Sequence, residues 1–434
     1  MRTVKIRLHP HRSGDGIKLR QLFGIARWTY NEAVKLTADT EANEERKTML
    51  ESKKWKNPST GLVEEKSVPI SWLKFLRQKV VNNDSAAVVQ HPWLKELGYD
   101  IRDAAVKEVL AARKAAFTQK KNGNIETFEL KKRSRKRCGT EALELRSRYI
   151  EQLGYTVVQR LPNQRPMHLY TGRRAFRTDF PMDCKLLRGR LNEYYLCVPM
   201  PYDTPERALR VENQDPSRPL RVCALDPGVR TFQTLYDGGL SEAVHVGDGD
   251  MKGIMRLCYA LDKLISRQQK AERSRERCSL RRASFRIRRR IRNMVDEVHK
   301  QLAKHLASQY DLVLIPVFEV SRMVRRLNRK IGSKTVRQMA CWGHFRFRER
   351  LSFKCRQLGA KLVVVNESYT SKTCSCCGYE KTNLGGSKVF RCDVVMDRDD
   401  NAAKNILLRN AEAVGLEVSS GLTFGAYPLS SGDG

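Results

Sequence analysis

Long apolar runs are missing from this chain. The longest, about Leu312 to Phe318, falls far short of the roughly 20 residues a membrane-crossing helix needs. The opening residues, MRTVKIRLHP, lack the apolar stretch that directs secretion. Neither a membrane-spanning nor a secreted protein is expected. Acidic residues are also scarce relative to basic ones. The chain has 48 Asp and Glu against 82 Lys and Arg, a formal net charge of +34. Self-repulsion of that size works against a compact state, so a polyanionic partner is expected, either nucleic acid or an anionic membrane surface. At about 150 residues per domain, 434 residues suggest two or three domains.

Twelve cysteines in such a chain point to a reducing compartment. Cys138, Cys184, Cys197, Cys223, Cys258, Cys278, Cys341 and Cys355 are scattered singly and read as buried thiols. Cys374, Cys376, Cys377 and Cys392 cluster, which suggests metal before disulfide.

Residues 2–8 alternate as a strand does. From Ile17 to about Leu36 the spacing is helical, with Leu19, Leu22, Ile25, Tyr30 and Ala33 on a shared face. Residues 38–68 are polar, contain Pro58, Ser59 and Gly61, and read as a loop-rich insert. Helical stretches follow over 70–81 and 101–118, then the basic run KKRSRKR at 131–137. Residues 150–212 hold short β-like runs such as Tyr155–Val158 and Tyr194–Met200, punctuated by prolines, and predict a small sheet or open barrel. NQDPSRP at 213–219 reads as a domain boundary.

Beyond it, strands are predicted at 221–226, 232–237 and 242–247, followed by two long helices. In the second, Ile287, Ile291, Met294, Val298, Leu302 and Leu306 recur every three or four residues. Then come a strand at 311–320, a basic helical region at about 335–358, a strand at 361–366, the cysteine cluster and a final helix at 401–409. Residues 411–434 contain no Lys or Arg, are rich in Gly and Ser, and read as a disordered tail.

This β-β-β-α-β-α-β-α order is RNase H-like, and it makes three carboxylates interesting together. Asp226 ends the first strand, Glu319 ends the fourth, and Asp399 opens the last helix. Each also has an ordinary role. Asp-Pro-Gly is a turn, Glu319 a strand-end charge, and Asp399 or Asp400 a helix N-cap. If the three converge, their mutual repulsion calls for cations. Two Mg²⁺ ions meet that need and support phosphodiester hydrolysis.

Several motifs carry a family resemblance: DPGVRTF at 226–232, YTSKTCSCCG at 369–378, LGGSKVFRC at 384–392, DRDDNAAKNILLR at 397–409, and FGIARWTYNEAV at 23–34. With these the chain resembles the transposon-encoded TnpB RNA-guided nucleases, and more closely their eukaryotic and viral relatives, the Fanzor proteins. The resemblance is weakest over residues 38–100. It implies a multidomain α/β protein. A wedge-like β-barrel domain would occupy 1–10 and 126–215, and a helical recognition domain 11–125. An RNase H-like (RuvC-type) nuclease domain would occupy 216–369 and 396–410, with a zinc ribbon inserted at 370–395 and the tail at 411–434. It implies Asp226, Glu319 and Asp399 as catalytic, magnesium-binding residues. Asp399 is preferred to Asp397 because it stands two residues before Asn401.

The implied activity is Mg²⁺-dependent DNA endonuclease action. A guide RNA of the omega RNA type would direct it to double-stranded DNA beside a short adjacent motif. The implied state is a monomer in a ribonucleoprotein, nuclear if the source is eukaryotic or viral and otherwise cytoplasmic. Two other readings compete: RNA-guided DNA binding without cleavage, and an RNA-independent DDE-type transposase. The intact carboxylates favour the enzyme over the first, and co-purifying RNA separates it from the second.

Cys374-x-x-Cys377 has the knuckle spacing for Zn²⁺. The family has a second Cys-x-x-Cys. Here Cys392 is present, but Val395 stands at the partner position. Cys374, Cys377 and Cys392 are therefore the expected zinc ligands, and Asp393 or a water could complete the set. The alternative is a degenerate ribbon without metal. The basic stretch 263–292 predicts an ordered helix pair with a positive outer face, opposed only by Glu272 and Glu276. KKRSRKR reads as an RNA-backbone contact, a nuclear-localisation signal, or both. Trp28, Tyr30, Trp55, Trp72, Trp93 and Trp342 are candidates for base stacking, most of them expected in the core.

Overall fold

The computed structural model describes residues 2–56, 63–134, 139–153, 156–159, 166–172, 180, 182–200, 220–239, 242–325, 331–366, 370–381, 388–392, 395–411, 416–418 and 424–426. The chain forms two compact units, Met1–Pro201 and Tyr202–Gly434. The predicted boundary at 213–219 lies outside the described residues.

The first unit is built on seven strands: β1 (Arg2–Pro10), β4 (Glu141–Leu145), β5 (Ile150–Leu153), β6 (Thr156–Gln159), β7 (Met167–Tyr170), β8 (Cys184–Arg188) and β9 (Tyr194–Met200). Their order is β4-β8-β9-β1-β7-β6-β5. β1 serves both halves, since Arg2–Leu8 pair with β9 and His9–Pro10 with β7. Alternation buries Leu143, Leu145, Leu186, Leu196 and Val198 in one cluster with Leu19, Leu22 and Phe23 of helix α1 (Ser13–Ala38). Two helical turns after Phe23, Tyr30, Ala33 and Val34 enter a second cluster, with Phe75, Leu76, Val106 and Val109. Val106 and Val109 belong to α5 (Tyr99–Lys121), Phe75 and Leu76 to α3 (Trp72–Leu76), and the short α4 (Ala86–Gln90) comes between these helices in sequence.

Residues 38–68 differ from the expected loop. They form α2 (Thr40–Thr48) and a hairpin of β2 (Leu50–Lys56) with β3 (Val63–Pro69). The helix buries only Ala42, so it has no apolar stripe to read. It is held by its cap, where Asp39 Oδ1 accepts the Glu41 N–H at 3.0 Å, and by surface pairs such as Lys47–Glu44. The hairpin strands, LESKKWK and VEEKSVP, are charged rather than alternating. Pro58, Ser59 and Gly61 lie outside the described residues.

The basic run is partly structural. Arg133 donates its backbone N–H to Asn31 Oδ1 at 2.6 Å, lays its guanidinium 3.7 Å over the Tyr30 ring, and pairs with Glu108. Residues 135–137 lie outside the described set.

The second unit follows the predicted β-β-β-α-β-α-β-α order. Its strands are β10 (Val222–Pro227), β11 (Gln233–Tyr236), β12 (Val244–Val246), β13 (Leu312–Pro316) and β14 (Lys361–Val365), arranged β12-β11-β10-β13-β14. β10, β13 and β14 are parallel, and β11 and β12 are antiparallel to their neighbours. Helices α6 (Asp250–Lys270), α7 (Ser274–Gln309), α9 (Ser333–Trp342) and α10 (His344–Leu358) pack on Cys223, Leu225, Val313 and Ile315. The final helix α11 (Arg398–Ala411) packs on Val222, Ala224, Leu312 and Leu314. Both faces are covered, which is why β10 and β13 read as unbroken apolar runs.

Three boundaries move. β13 ends at Pro316, which offers no N–H to continue the ladder, rather than running to 320. The short helix α8 (Val320–Met323) follows it. α11 begins at Arg398 instead of 401. The tail expected to be disordered contains an antiparallel pair, Leu416–Val418 with Phe424–Ala426, whose apolar alternation the Gly/Ser content obscures.

Candidate active site

Asp226 lies near the carboxyl end of β10, the central strand. Side chains alternate along a strand, so Asp226 shares the face of Val222 and Ala224, which is the face α11 covers. The turn that follows requires glycine. A Cβ on Gly228 would sit 2.5 Å from the Thr231 carbonyl oxygen. The turn reading of Asp-Pro-Gly and the placement of Asp226 in the strand therefore both hold.

Strand register extends the row across the sheet. Asp226 is opposite Thr234, and Thr234 is opposite His245. Cross-strand partners share a face, so all three project toward α11. His245 Nε2 approaches Asp400 Oδ1 to 2.9 Å. The contact is off the axis a hydrogen bond needs, and that oxygen has no hydrogen bond. Burial raises the Asp400 carboxyl above its ordinary range. His245 and Lys404 oppose the rise, while Asp397 and Asp399 reinforce it.

The N-cap role expected of Asp399 or Asp400 falls to Asp397, whose Oδ1 accepts the Asp399 N–H at 2.8 Å. Among the described residues, His245, Asp397 and Asp400 have ligand atoms all within 4.8 Å of one another. Asp226, Glu319 and Asp399 do not form such a compact set among those residues. Asp399 lies in the first turn of α11, 3.7 Å from Arg398 Nε. Glu319 stands beyond the end of β13, just before α8, and is ion-paired with Arg322 at 3.0 Å.

Sequence reading missed His245, Asp397 and Asp400 as a group. The available signal was Val244-His245-Val246, a polar residue between two valines in a meander strand close in sequence to Asp226.

The cysteine knuckle is assembled beside this helix. Cys392 Sγ lies 3.3 Å from Cys374 Sγ and 3.7 Å from Cys377 Sγ. Tetrahedral zinc with Zn–S bonds of about 2.3 Å sets sulfurs roughly 3.8 Å apart, so this donor set fits the ion. Burial would raise the Cys374 thiol, but the backbone N–H groups of Cys377 and Cys376 and the neighbouring thiols outweigh it and bring it to about 7. That favours the thiolate a metal requires. Gly378, at φ +74°, makes the left-handed turn of the knuckle. Cys376 is exposed and outside the group. Val395 is 67% exposed and offers no ligand atom, and Asp393 lies outside the described residues.

Two asparagines of NAAKN bind the knuckle to α11. Asn401 is fully buried. It accepts the Ser375 N–H at 2.8 Å and donates to the Thr373 carbonyl at 2.7 Å. Asn405 donates to the carbonyls of Thr370 and Thr373.

α6 and α7 form the expected helix pair. Leu280, Val295 and Leu302 are buried, while Arg275, Arg282, Arg286, Arg288, Arg290 and Arg292 are exposed.

The family profile described as Cas12f1-like, TNB domain, matches residues 344–406, which hold α10, β14, the knuckle and the start of α11. A protein named "Putative transposase" from Paramecium bursaria Chlorella virus 1 is 28% identical over 94% of this chain and 87% of its own length. A TnpB-like protein of Acanthamoeba polyphaga mimivirus is 24% identical over 93% of this chain and 72% of its own. The Escherichia coli (strain K12) protein InsQ, named "Putative RNA-guided DNA endonuclease", is 29% identical over 43% of this chain and 48% of its own. With viral TnpB-like proteins and putative transposases as homologues along nearly its whole length and a Cas12f1-like TNB domain in its second unit, the chain is similar to proteins of the TnpB/Fanzor type.

Proposed function

We propose that this protein is an RNA-guided DNA endonuclease with an RNase H-like (RuvC-type) nuclease domain. The observation that carries this reading is the shared sheet face. Asp226 at the end of the central strand faces the helix whose first turn holds Asp399, in a five-stranded sheet of order β12-β11-β10-β13-β14. The name of the InsQ relative and the net charge of +34 support the same conclusion.

Asp226, Glu319 and Asp399 would hold two Mg²⁺ ions, for which carboxylate oxygens are suitable donors. When bound, such ions activate water and stabilise the leaving oxygen of a phosphodiester. The chain's own part is positional. β10 fixes Asp226, α11 fixes Asp399, and Glu319 exchanges its contact with Arg322 for the site. Zn²⁺ on Cys374, Cys377 and Cys392 would hold the knuckle against α11.

The first unit would supply the wedge-like and helical recognition domains. The exposed arginines of α7 would line a guide–target duplex, whose backbone and shape the protein reads while base pairing reads sequence. The working state is a single chain bound to guide RNA. It acts on double-stranded DNA beside a short adjacent motif, and in the nucleus if the source is eukaryotic or viral.

Changing only the guide segment of the co-purifying RNA tests this reading. Cleavage should move to the new complementary sequence, provided the adjacent motif is retained. A cut site that stays fixed, or cutting that survives RNase treatment before DNA is added, would instead support the RNA-independent transposase.

A further inference from the structure

One stripe of α1 lies at the edge of the core, with Trp28 packed against it. Gln21, Gly24, Trp28 and Asn31 recur at the three- and four-residue spacing of one helix face, and each is exposed or half-buried. With Trp93 and Glu96 of the 3₁₀ turn at Pro92–Glu96, they line an open groove of about 450 Å³. That lies within the usual size range of ligand sites, about 300–1,000 Å³.

Three rings build one wall. Trp28 meets Trp93 edge to face at 5.5 Å and His91 at 5.2 Å, and His91 lies 5.7 Å from Trp93. The three fix one another's orientation, yet Trp93 remains 40% exposed. A tryptophan held rigidly and left uncovered has a face to offer.

Gly24 is the second, independent observation. It sits inside a 26-residue helix, where glycine costs about 1 kcal/mol relative to alanine. The fold does not require it there, since an added Cβ would meet nothing closer than 3.9 Å, the end of the Arg27 side chain. A glycine that internal packing does not explain, on the floor of a groove and one turn from Trp28, suits close approach by a flat ligand. Arg20, one turn before it, and Lys95, two residues after Trp93, are exposed cations on the same two elements.

We propose that this groove holds one unstacked nucleobase of a single-stranded nucleic acid, slotted over Gly24 against the Trp28–Trp93 wall. The inference rests on the nucleic-acid reading above. The shared chemistry is an unpaired base, from either the RNA or the displaced DNA strand. Base–aromatic stacking tolerates any sequence, because every base has a π face.

The test uses the full-length protein and compares its affinity for oligouridylate, oligothymidylate and an abasic sugar–phosphate oligomer of equal length. Trp93→Ala removes the wall. Gly24→Leu fills the floor while leaving every ring in place and improving helix propensity. Both variants should bind the base-bearing oligomers about tenfold more weakly, the effect of losing one stacked base. Both should bind the abasic oligomer as the wild type does. The oligomer showing the larger loss identifies RNA or DNA as the source, and equal losses assign the groove to any unpaired base.

Wild-type affinity of either variant for both base-bearing oligomers would overturn the proposal and leave the groove to an apolar side chain of a protein partner. An equal loss on the abasic oligomer would also overturn it, because phosphate contact would then be the cause. A wild-type protein that binds none of the three would instead remove the nucleic-acid reading on which the proposal stands.

Discussion

Asn401 joins the first half of α11 to the cysteine knuckle by accepting the Ser375 N–H at 2.8 Å while donating to the Thr373 carbonyl. The helix that presents Asp399 and the loop that presents Cys374 are thus bridged by a side chain with no exposed surface, and Asn405 adds a second link one turn on. Replacing Asn401 with Leu leaves a donor and an acceptor of the knuckle without their partner, at a cost of about 1–3 kcal/mol. Thermal unfolding should show the loss, and Asn401→Leu should release metal to a chelator faster than wild type. An unchanged melting temperature and metal off-rate would show that the clamp is dispensable.

The catalytic assignment predicts a separation of functions. Asp226→Ala, Glu319→Ala and Asp399→Ala should each reduce DNA cleavage to background and leave guide-RNA affinity unchanged, because they remove metal ligands and no phosphate contacts. Cleavage and RNA-binding assays on the same preparations check this. Near wild-type cutting by Glu319→Ala would return that residue to its role beside Arg322.

Elemental analysis of the purified protein should find about one Zn²⁺ per chain, and Cys392→Ser should lower that content. The three thiols lie within 4.8 Å of one another, and their metal should tighten with rising pH as the thiols ionise. A folded, active sample with no zinc would establish the degenerate ribbon.

Acid should destabilise the second unit through His299. It is fully buried against Phe232 and Phe347. Burial, with Arg350 and Arg346 adding to it, lowers its pKa to about 3. The unfolded chain takes up a proton near the ordinary 6.5 and the folded chain does not, so the unfolded state binds more protons between these values. The stabilising contribution is complete above about 6.5 and declines as the pH falls toward 3, by up to about 1.4 kcal/mol per pH unit. Melting temperatures of wild type and His299→Leu measured from pH 7 to pH 4 should fall with different slopes, the variant losing less. Parallel losses would remove His299 as the cause.

The second unit was largely legible in the sequence because its three inner strands, β11, β10 and β13, are buried on both faces and its long helices carry apolar stripes over a charged exterior. The register that sets Asp226, Thr234 and His245 in one row was not, because it depends on pairing between strands rather than on spacing within them. The span of β13 was overread, since its apolar run continues past Pro316, where the ladder stops. α2 escaped because capping and surface pairs, rather than a buried face, hold it. Cys374, Cys377 and Cys392 were legible from spacing, whereas Asn401 and Asn405 looked like ordinary helix residues until their partners in the knuckle were placed.

β1 sets the order in which the first unit can be made. It leaves the ribosome before the other described strands, yet its partner along Arg2–Leu8 is β9, whose residues are synthesised about 190 positions later. At roughly 5–20 residues per second, the wait is on the order of 10–40 seconds. During that interval the strand has both edges open, and the helices between Ser13 and Lys121, whose backbone hydrogen bonds are local, can form without it. Closure of the sheet is therefore the last event in the biogenesis of this unit, and the nascent chain carries an uncapped pairing edge until then.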